Sequence, residues 1–525
     1  MAATAMLDAA VLRAWADGAV RALAEHRGEL DALNVFPVAD SDTGTNLYLT
    51  LREARQALAE RSGDQAARGF ARGALVGARG NSGVIVSQYL GELLRAVPPG
   101  PLTGEALAVA LRRATDAAYR AVASPVEGTV LSVARAVADG SGSLTGGPVE
   151  ILTAALDAGY EALGRTPEQL APLRAAGVLD AGGWGLLLVL GALAEALGAP
   201  AHTPAHPAVL GADGTTRSGT RGRHEHDGGT RPGHAGAVCP HGAQTGAFEV
   251  MYLVAGSEEA ADDGAVAARL RAVLAEVGDS VAVVGGDGLW QGHVHTDDPV
   301  GAVASAGRAG VRATQVRVRH IARQAGVHGV HTPPLGVVAV TGAVGLTADL
   351  ARAGAVVVLV LPGEAAGPEL ERAVDDTGAG SVLVLAAAGL LAAVPQRADT
   401  RVRDGLSEAQ VVAGAATFAE HSSAGCDPDE LATRVLAAVD DVRTVVADVG
   451  PGGDPGAVLA AARSLVNHDT ALLTVLVPDD TPEDLAARLA DVVGGGVEVV
   501  LLGTGLPGRS VVLGAEPADP GGGST

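Results

Sequence analysis

The stretch Asn34–Asn46, NVFPVADSDTGTN, decides how the chain is read. It places two carboxylates, Asp40 and Asp42, either side of Ser41 and follows them with Thr43, Gly44, Thr45 and Asn46. Such a segment gathers hard oxygen ligands for Mg2+, which takes near-octahedral oxygen coordination shared between a few carboxylates and substrate phosphates. Asn34 offers a third ligand. The same aspartates also suit a plainer role, capping a helix that starts near Gly44, because Asp is a favoured N-cap residue.

Three further segments share the small and polar character of this loop. GARGNSGV, residues 77–84, has glycines at Gly80 and Gly83 that let the backbone approach a phosphate, with Asn81 and the Ser82 hydroxyl beside them. Arg79 in the same run reads as a phosphate contact or as a surface charge. SPVEGTVLSV, residues 124–133, puts a Glu127-Gly128-Thr129 corner before an apolar helical run, where Glu127 is equally a solvated carboxylate. GVLDAGGWG, residues 177–185, adds a turn at Asp180, Gly182 and Gly183, in which Asp180 either lines a nucleotide pocket or caps the turn. Trp184 reads as packing.

Composition removes several alternatives. A length of 525 residues suggests three or four domains. With 2% aromatic residues, their cores must be built from Ala, Val and Leu. A formal net charge of -23 argues against nucleic acid or an anionic membrane as partner. Every one of the 37 basic residues is arginine, which excludes a Walker lysine, a GxxxxGK[ST] loop and a lysine Schiff base. Phosphate charge must then be met by Mg2+, arginine and backbone N–H groups. Cys239 and Cys426 lie too far apart in sequence to suggest a disulfide framework. Asp8 and Asp17 interrupt the apolar core a signal peptide needs, and the apolar runs at 186–194 and 382–394 are short for a membrane span. The expectation is a cytoplasmic protein with no integral membrane segment.

Residues 1–198 read as all-helical. Leu12, Trp15, Ala19 and Leu23 step by three and four along one stripe, and helices are expected over 44–60, 83–96, 104–123, 148–163 and 183–197. The glycine-bearing motifs fall between or at the starts of these helices, where free N–H groups and partial positive charge suit phosphate. Residues 199–246 form a Gly- and His-rich linker, with a metal-buffering role as the lesser reading of its six histidines. Residues 247–325 read as a small α/β domain, with strands at 248–254 and within 280–299 around a helix at 260–277. His293 and His295 would face one side of a strand, compatible with a metal or with hydrogen bonds to Asp297 and Asp298. Cys239 with His241 is a rival ligand source. Residues 334–518 alternate strands and helices as buried parallel sheets do, and 519–525 read as a tail.

The order and spacing of the four N-terminal motifs resemble the nucleotide-binding (DhaL) domain of the dihydroxyacetone kinase family, over roughly residues 5–198. NVFPVADSDTGTN with GARGNSGVIVSQ is more similar to one branch, the ATP-binding subunit of bacterial fatty acid kinase. The resemblance implies a helical DhaL-like bundle binding ATP and Mg2+. Asp40, Asp42 and Asn34 would hold Mg2+ between the β- and γ-phosphates, with Thr43, Gly44, Thr45 and Asn46 adjusting its shell. Gly80, Asn81, Ser82 and Gly83 would cradle phosphate, and Gly128, Thr129, Asp180 and Gly182 would complete the pocket.

The acceptor implied is a fatty acid carried by a separate DegV-like binding protein, and the product an acyl phosphate. Dihydroxyacetone is the alternative acceptor, a non-catalytic nucleotide-binding regulator the other alternative, and a homodimer is compatible with each. Similar middle domains pair their HVHT segment with a cysteine on the preceding strand. Here Leu253 takes that place and Glu249 is the nearest substitute, which makes Glu249, His293 and His295 the expected ligands of a possible Zn2+. The C-terminal region resembles a DegV-like α/β domain, but its turns LPGEAAGPE and LAAAGLL replace the family's polar ones. Ser41 stands where the family usually has glycine.

Overall fold

A computed structural model describes residues 5–59, 61, 65–142, 145–200, 246–256, 263–325, 333–422, 426–479, 481–482 and 484–518. The linker histidines, Cys239 and the 519–525 tail lie outside the described residues. The chain divides into two compact units, one of residues 1–245, 260–275 and 279–293, the other of residues 246–259, 276–278 and 294–525.

The first unit is built on helices α1 (Ala9–Leu33), α2 (Thr43–Ala59), α3 (Gln65–Gly77), α4 (Gly80–Ala96), α5 (Gly104–Ala121), α6 (Val130–Ser141), α7 (Pro148–Gly164), the short α8 (Thr166–Gln169) and α9 (Ala171–Ala176), and α10 (Ala181–Ala196). A two-residue pair, β1 (Ala5–Met6) with β2 (Pro101–Leu102), completes its N-terminal edge. Asp8 starts α1 by accepting from the Ala10 and Val11 N–H groups, each at 2.9 Å. The expected stripe of Leu12, Trp15, Ala19 and Leu23 is buried, and Trp15 Nε1 donates to the Val189 carbonyl at 2.8 Å, tying α1 to α10. Nearly all of α10 is buried, as an apolar run without polar faces requires. With few aromatic rings to fill space, helices approach closely at glycine: a Cβ on Gly185 would fall 2.2 Å from Leu47 Cδ1.

The chain next passes through β3 (Phe248–Ala255), part of the second unit, and helix α11 (Asp263–Leu274) to the hairpin of β4 (Asp279–Gly286) and β5 (Leu289–Thr296). The hairpin turns at Asp287 and Gly288, with φ of 53° and 78°, the sign pattern of a tight primed turn. Helix α11, β4 and β5 as far as His293 belong to the helical unit.

In the second unit β3 pairs antiparallel with β6 (Arg312–His320), and β6 antiparallel with β8 (Val356–Leu359). Then β8, β7 (Leu335–Thr341), β9 (Ser381–Ala387) and β10 (Thr400–Leu406) run parallel in that order. A second sheet has the order β11 (Arg443–Asp448), β14 (Ser510–Pro517), β12 (Thr470–Val477), β13 (Glu498–Gly503). Here the uniformly parallel expectation is corrected: β14 is antiparallel to both β11 and β12. The two turns noted in the sequence meet through their backbones, Ala366 N donating to Leu390 O at 2.7 Å and Ala392 N to Ala366 O at 2.9 Å. No helix among the described residues is long and apolar enough to cross a membrane.

Candidate nucleotide site

Four helix N-termini of the first unit converge. Asp42 ends the acidic loop as the first backbone acceptor of α2, taking the Asn46 N–H at 2.8 Å, so the capping reading and the ligand reading fall on one residue. Within the loop Asn34 Nδ2 donates to Asp40 Oδ1 at 2.5 Å. That bond leaves the Asn34 amide oxygen beside two carboxylates, an all-oxygen donor set that fits Mg2+. Ser41, between the aspartates, has a φ of 56°, the left-handed region that favours glycine.

The start of α4 lies against α2. A Cβ on Gly80, whose φ is also 56°, would sit 2.4 Å from Asn46 Nδ2, and one on Gly83 would sit 2.5 Å from Thr50 Oγ1. Both glycines are therefore required for the approach. Thr50 Oγ1 donates to Asn46 O at 2.6 Å and accepts from the Arg79 N–H at 3.2 Å, fixing the loop before α4 to α2. Arg79 itself is 1% exposed, with its guanidinium donating to Gly77 O and lying 3.9 Å from Glu53. The reading of Arg79 as a surface charge is thus corrected.

The starts of α6 and α10 close the other side. Gly182 lies where an added Cβ would be 3.4 Å from Ser82 Oγ, from Val130 Cβ and from Asp180 Oδ2, so α4, α6 and α10 meet at this glycine. Asp180 caps α10 through Oδ2, which accepts from Gly183 N at 2.7 Å, and its carboxylate also receives the Val130 N–H at the start of α6. Burial pushes its pKa from 3.8 up to about 7, with those two N–H bonds opposing the rise. Thr129 caps α6, donating to Val126 O at 2.7 Å, and Gly128, with φ of 82°, donates its N–H to Ser132 Oγ at 2.8 Å. Glu127 turns outward to Ser132, Tyr119 and Arg135. Trp184 is buried beside the His26 ring, as packing.

Sequence reasoning passes over one residue of this site. Asp31, in the last turn of α1, accepts from Thr45 N at 2.9 Å and from Thr45 Oγ1 at 2.8 Å. Burial pushes its pKa up to about 6 against those bonds, and the Asp42 charge adds to the rise. A lone Asp three residues before Asn34 carries no signal in the sequence, since its partner lies fourteen residues on.

Chemically, the N–H groups and dipoles of four helix starts aim at one place, beside a loop rich in carboxylate and amide oxygens. The combination suits a polyphosphate with a divalent cation.

Residues 37–195 match the DAK2 domain family, and residues 245–327 match the FakA-like middle domain found in fatty acid kinase. The class defined by fold and site is a DAK2-domain, kinase-related protein. Similar relatives include Protein YloV of Bacillus subtilis (strain 168), 31% identical over 376 residues, covering 67% of this chain and 64% of that protein. The uncharacterized protein SH1689 of Staphylococcus haemolyticus (strain JCSC1435) is 32% identical over 277 residues, covering 51% and 47%. The chain spans less than two thirds of the length of these relatives. Among solved structures, the dihydroxyacetone kinase from C. freundii in complex with AMP-PNP and Mg2+ is 22% identical with a TM-score of 0.28, over 37% of this chain and 35% of that one. The DegV family protein Cg2579 from Corynebacterium glutamicum is 12% identical with a TM-score of 0.28, over 36% of this chain and 99% of that one. By its domain matches, the chain belongs to the DAK2-domain proteins that carry a FakA-like middle domain.

Glu249, His293 and His295 are buried and come together, with one ligand atom from each within 4.8 Å of the others. One carboxylate oxygen and two imidazole nitrogens are donors that zinc accepts. Arg319, however, directly across the strand pair from Glu249, donates to Glu249 Oε2 from both Nε and Nη2. The carboxylate charge is thereby balanced inside the protein, and a divalent cation there would face a guanidinium already in place. Zinc fits this group poorly.

Proposed function

We propose that the protein is an ATP- and Mg2+-dependent kinase subunit that phosphorylates the carboxylate of a fatty acid presented by a separate DegV-like binding protein. The observation that carries this reading is the convergence of the α2, α4, α6 and α10 N-termini on the loop holding Asn34, Asp40 and Asp42. Bound Mg2+ would supply charge neutralisation between the β- and γ-phosphates, held by Asp40, Asp42 and the Asn34 amide oxygen. The backbone at Gly80 and Gly83, with Asn81 and Ser82, holds phosphate oxygens. Thr43, Gly44, Thr45 and Asn46 set the position of the acidic loop on α2, and Gly128, Thr129, Asp180 and Gly182 form the facing wall.

An acceptor carboxylate oxygen attacks the γ-phosphorus, a new O–P bond forms, the bond from the γ-phosphorus to the bridging oxygen breaks, and ADP leaves. Such a transfer depends on positioning and charge stabilisation, so no internal nucleophile is required. An acceptor carried by another protein agrees with C-terminal turns whose backbones bond to each other. A cytoplasmic location and a homodimer are part of the same proposal.

The test combines the purified protein with Mg·ATP and either a fatty-acid-loaded DegV-like protein or dihydroxyacetone, trapping acyl phosphate with hydroxylamine. Acyl phosphate formed only with the loaded protein, and lost in Asp40→Ala and Asp42→Ala, supports the proposal. Turnover of dihydroxyacetone alone moves the protein to glycerone kinase chemistry. Mg·ATP binding without either turnover makes it a nucleotide-binding regulator.

A further inference from the structure

The hairpin of β4 and β5 lies far from the nucleotide motifs in sequence, yet it is part of the helical unit. Its attachments follow α4 from end to end. Gln291 Nε2, on β5, donates to the Ala78 carbonyl at 3.2 Å, two residues before Gly80. Gly285 N donates to Gln88 Oε1 at 2.7 Å in the middle of α4. At the far end Arg95 Nη2 lies 3.4 Å from Asp287 Oδ2 at the hairpin tip. A fourth attachment reaches a second motif: Ala123 N donates to Val281 O at 3.0 Å, and Val122 bridges to Ala282, where α5 gives way to the Ser124–Thr129 segment.

Two of the four site loops are therefore pinned at their bases by this hairpin. Gln291 is the informative contact. It is 2% exposed, and its partner Ala78 is fully buried. Water cannot replace a donor in such a place, so loss of the bond leaves a buried carbonyl unsatisfied. The Ala78 peptide in turn leads into Gly80, whose left-handed backbone and contact with Asn46 leave little freedom in how α4 begins.

We infer that Gln291 is a positioning residue of the nucleotide site, and that the β4–β5 hairpin braces the phosphate-binding start of α4. This rests on the kinase reading above. The hairpin's role is to hold the N–H groups of residues 80–83 where a phosphate meets them, without touching the phosphate itself.

The test uses the full chain with Gln291→Met, which keeps the side-chain volume and removes the donor. Two quantities are read: the Mg·ATP dissociation constant by calorimetry, and amide hydrogen exchange at residues 79–83 without nucleotide. Wild type and Asp42→Ala serve as references. The expected result is Mg·ATP binding weakened about three- to tenfold, the scale of one net hydrogen bond, with faster exchange at 79–83. Arg95→Gln, at the opposite end of α4, should leave the dissociation constant at its wild-type value. If Gln291→Met does not fold, Gln88→Met removes the neighbouring attachment and the same two readings apply. An unchanged dissociation constant with wild-type exchange overturns the inference. Unchanged affinity with faster exchange also overturns it, reducing Gln291 to a structural contact. If wild type itself fails to bind Mg·ATP, the kinase reading falls and takes this inference with it. Binding lost in Asp42→Ala but intact in Gln291→Met sinks only the role of Gln291.

Discussion

Asp31 and Thr45 are joined twice, the carboxylate of one accepting both the N–H and the hydroxyl of the other. The bond pair closes the base of the loop that holds Asn34, Asp40 and Asp42, clamping the end of α1 to the first turn of α2. Gly44 makes the clamp possible, since a Cβ there would fall 2.3 Å from the Arg27 carbonyl oxygen.

Asp31→Ala should therefore destabilise the helical unit by about 1 kcal/mol, the usual cost of losing a helix cap. It should also raise the Mg2+ concentration needed for half-maximal ATP turnover by about tenfold, as loss of outer support around a metal does. Urea unfolding and a Mg2+ titration of activity measure the two effects. A normal Mg2+ requirement would leave Asp31 as a cap alone.

Asp180 gives a pH prediction. Its pKa is raised in the native fold from 3.8 to about 7, so the folded chain binds this proton more tightly than the unfolded chain does. Its contribution to stability is greatest at low pH and is lost as pH rises from about 4 to about 7. Asp180→Asn, which copies the protonated form, should gain stability relative to wild type across that window and hold a level difference above it. Thermal unfolding of both proteins across the range from mildly acidic to mildly alkaline pH, without nucleotide, checks this. A pH-independent difference would contradict the burial argument.

Ser41 holds a left-handed backbone without being glycine. Ser41→Gly should stabilise the helical unit by about 1 kcal/mol, from the cost of that conformation for an L-residue, less the greater chain entropy of glycine. Chemical denaturation decides the sign.

The buried Glu249–Arg319 pair makes a prediction about metal. Dialysis against EDTA should leave the melting temperature unchanged, and zinc analysis of the purified protein should find well below one equivalent. Arg319→Met should cost about 3 kcal/mol, because it strands a buried carboxylate. One tightly held zinc, lost in His295→Ala, would restore the metal reading of this group.

The helical unit is largely legible in the sequence because its signals are local. Apolar stripes at steps of three and four, glycine turns and N-cap residues place α2, α4, α5, α7 and α10 within a few residues of where they lie. The charged strand β6, with Arg317 and Arg319 buried, is not legible, because its polar residues look like surface until their partners Asp376 and Glu249 are seen. The second sheet is hidden for a related reason: β14 follows the β12–β13 run yet pairs antiparallel beside β12, and strand direction leaves no mark on composition. At the site, Asp40, Asp42, Gly80, Gly83 and Asp180 announce themselves by motif. Asp31, Thr50 and Gln291 do not, because each acts through a bond to a residue distant in sequence.

The position of Gln291 also has a consequence for how the molecule is made. The acidic loop and the glycine turns leave the ribosome within the first two hundred residues, but the brace under α4 is still unsynthesised then. A nascent chain must extend past residue 291, through the whole 201–245 segment, before its phosphate-binding loop is fully supported. Competence to hold nucleotide would then arrive late in translation, well after the helices that frame the pocket have folded.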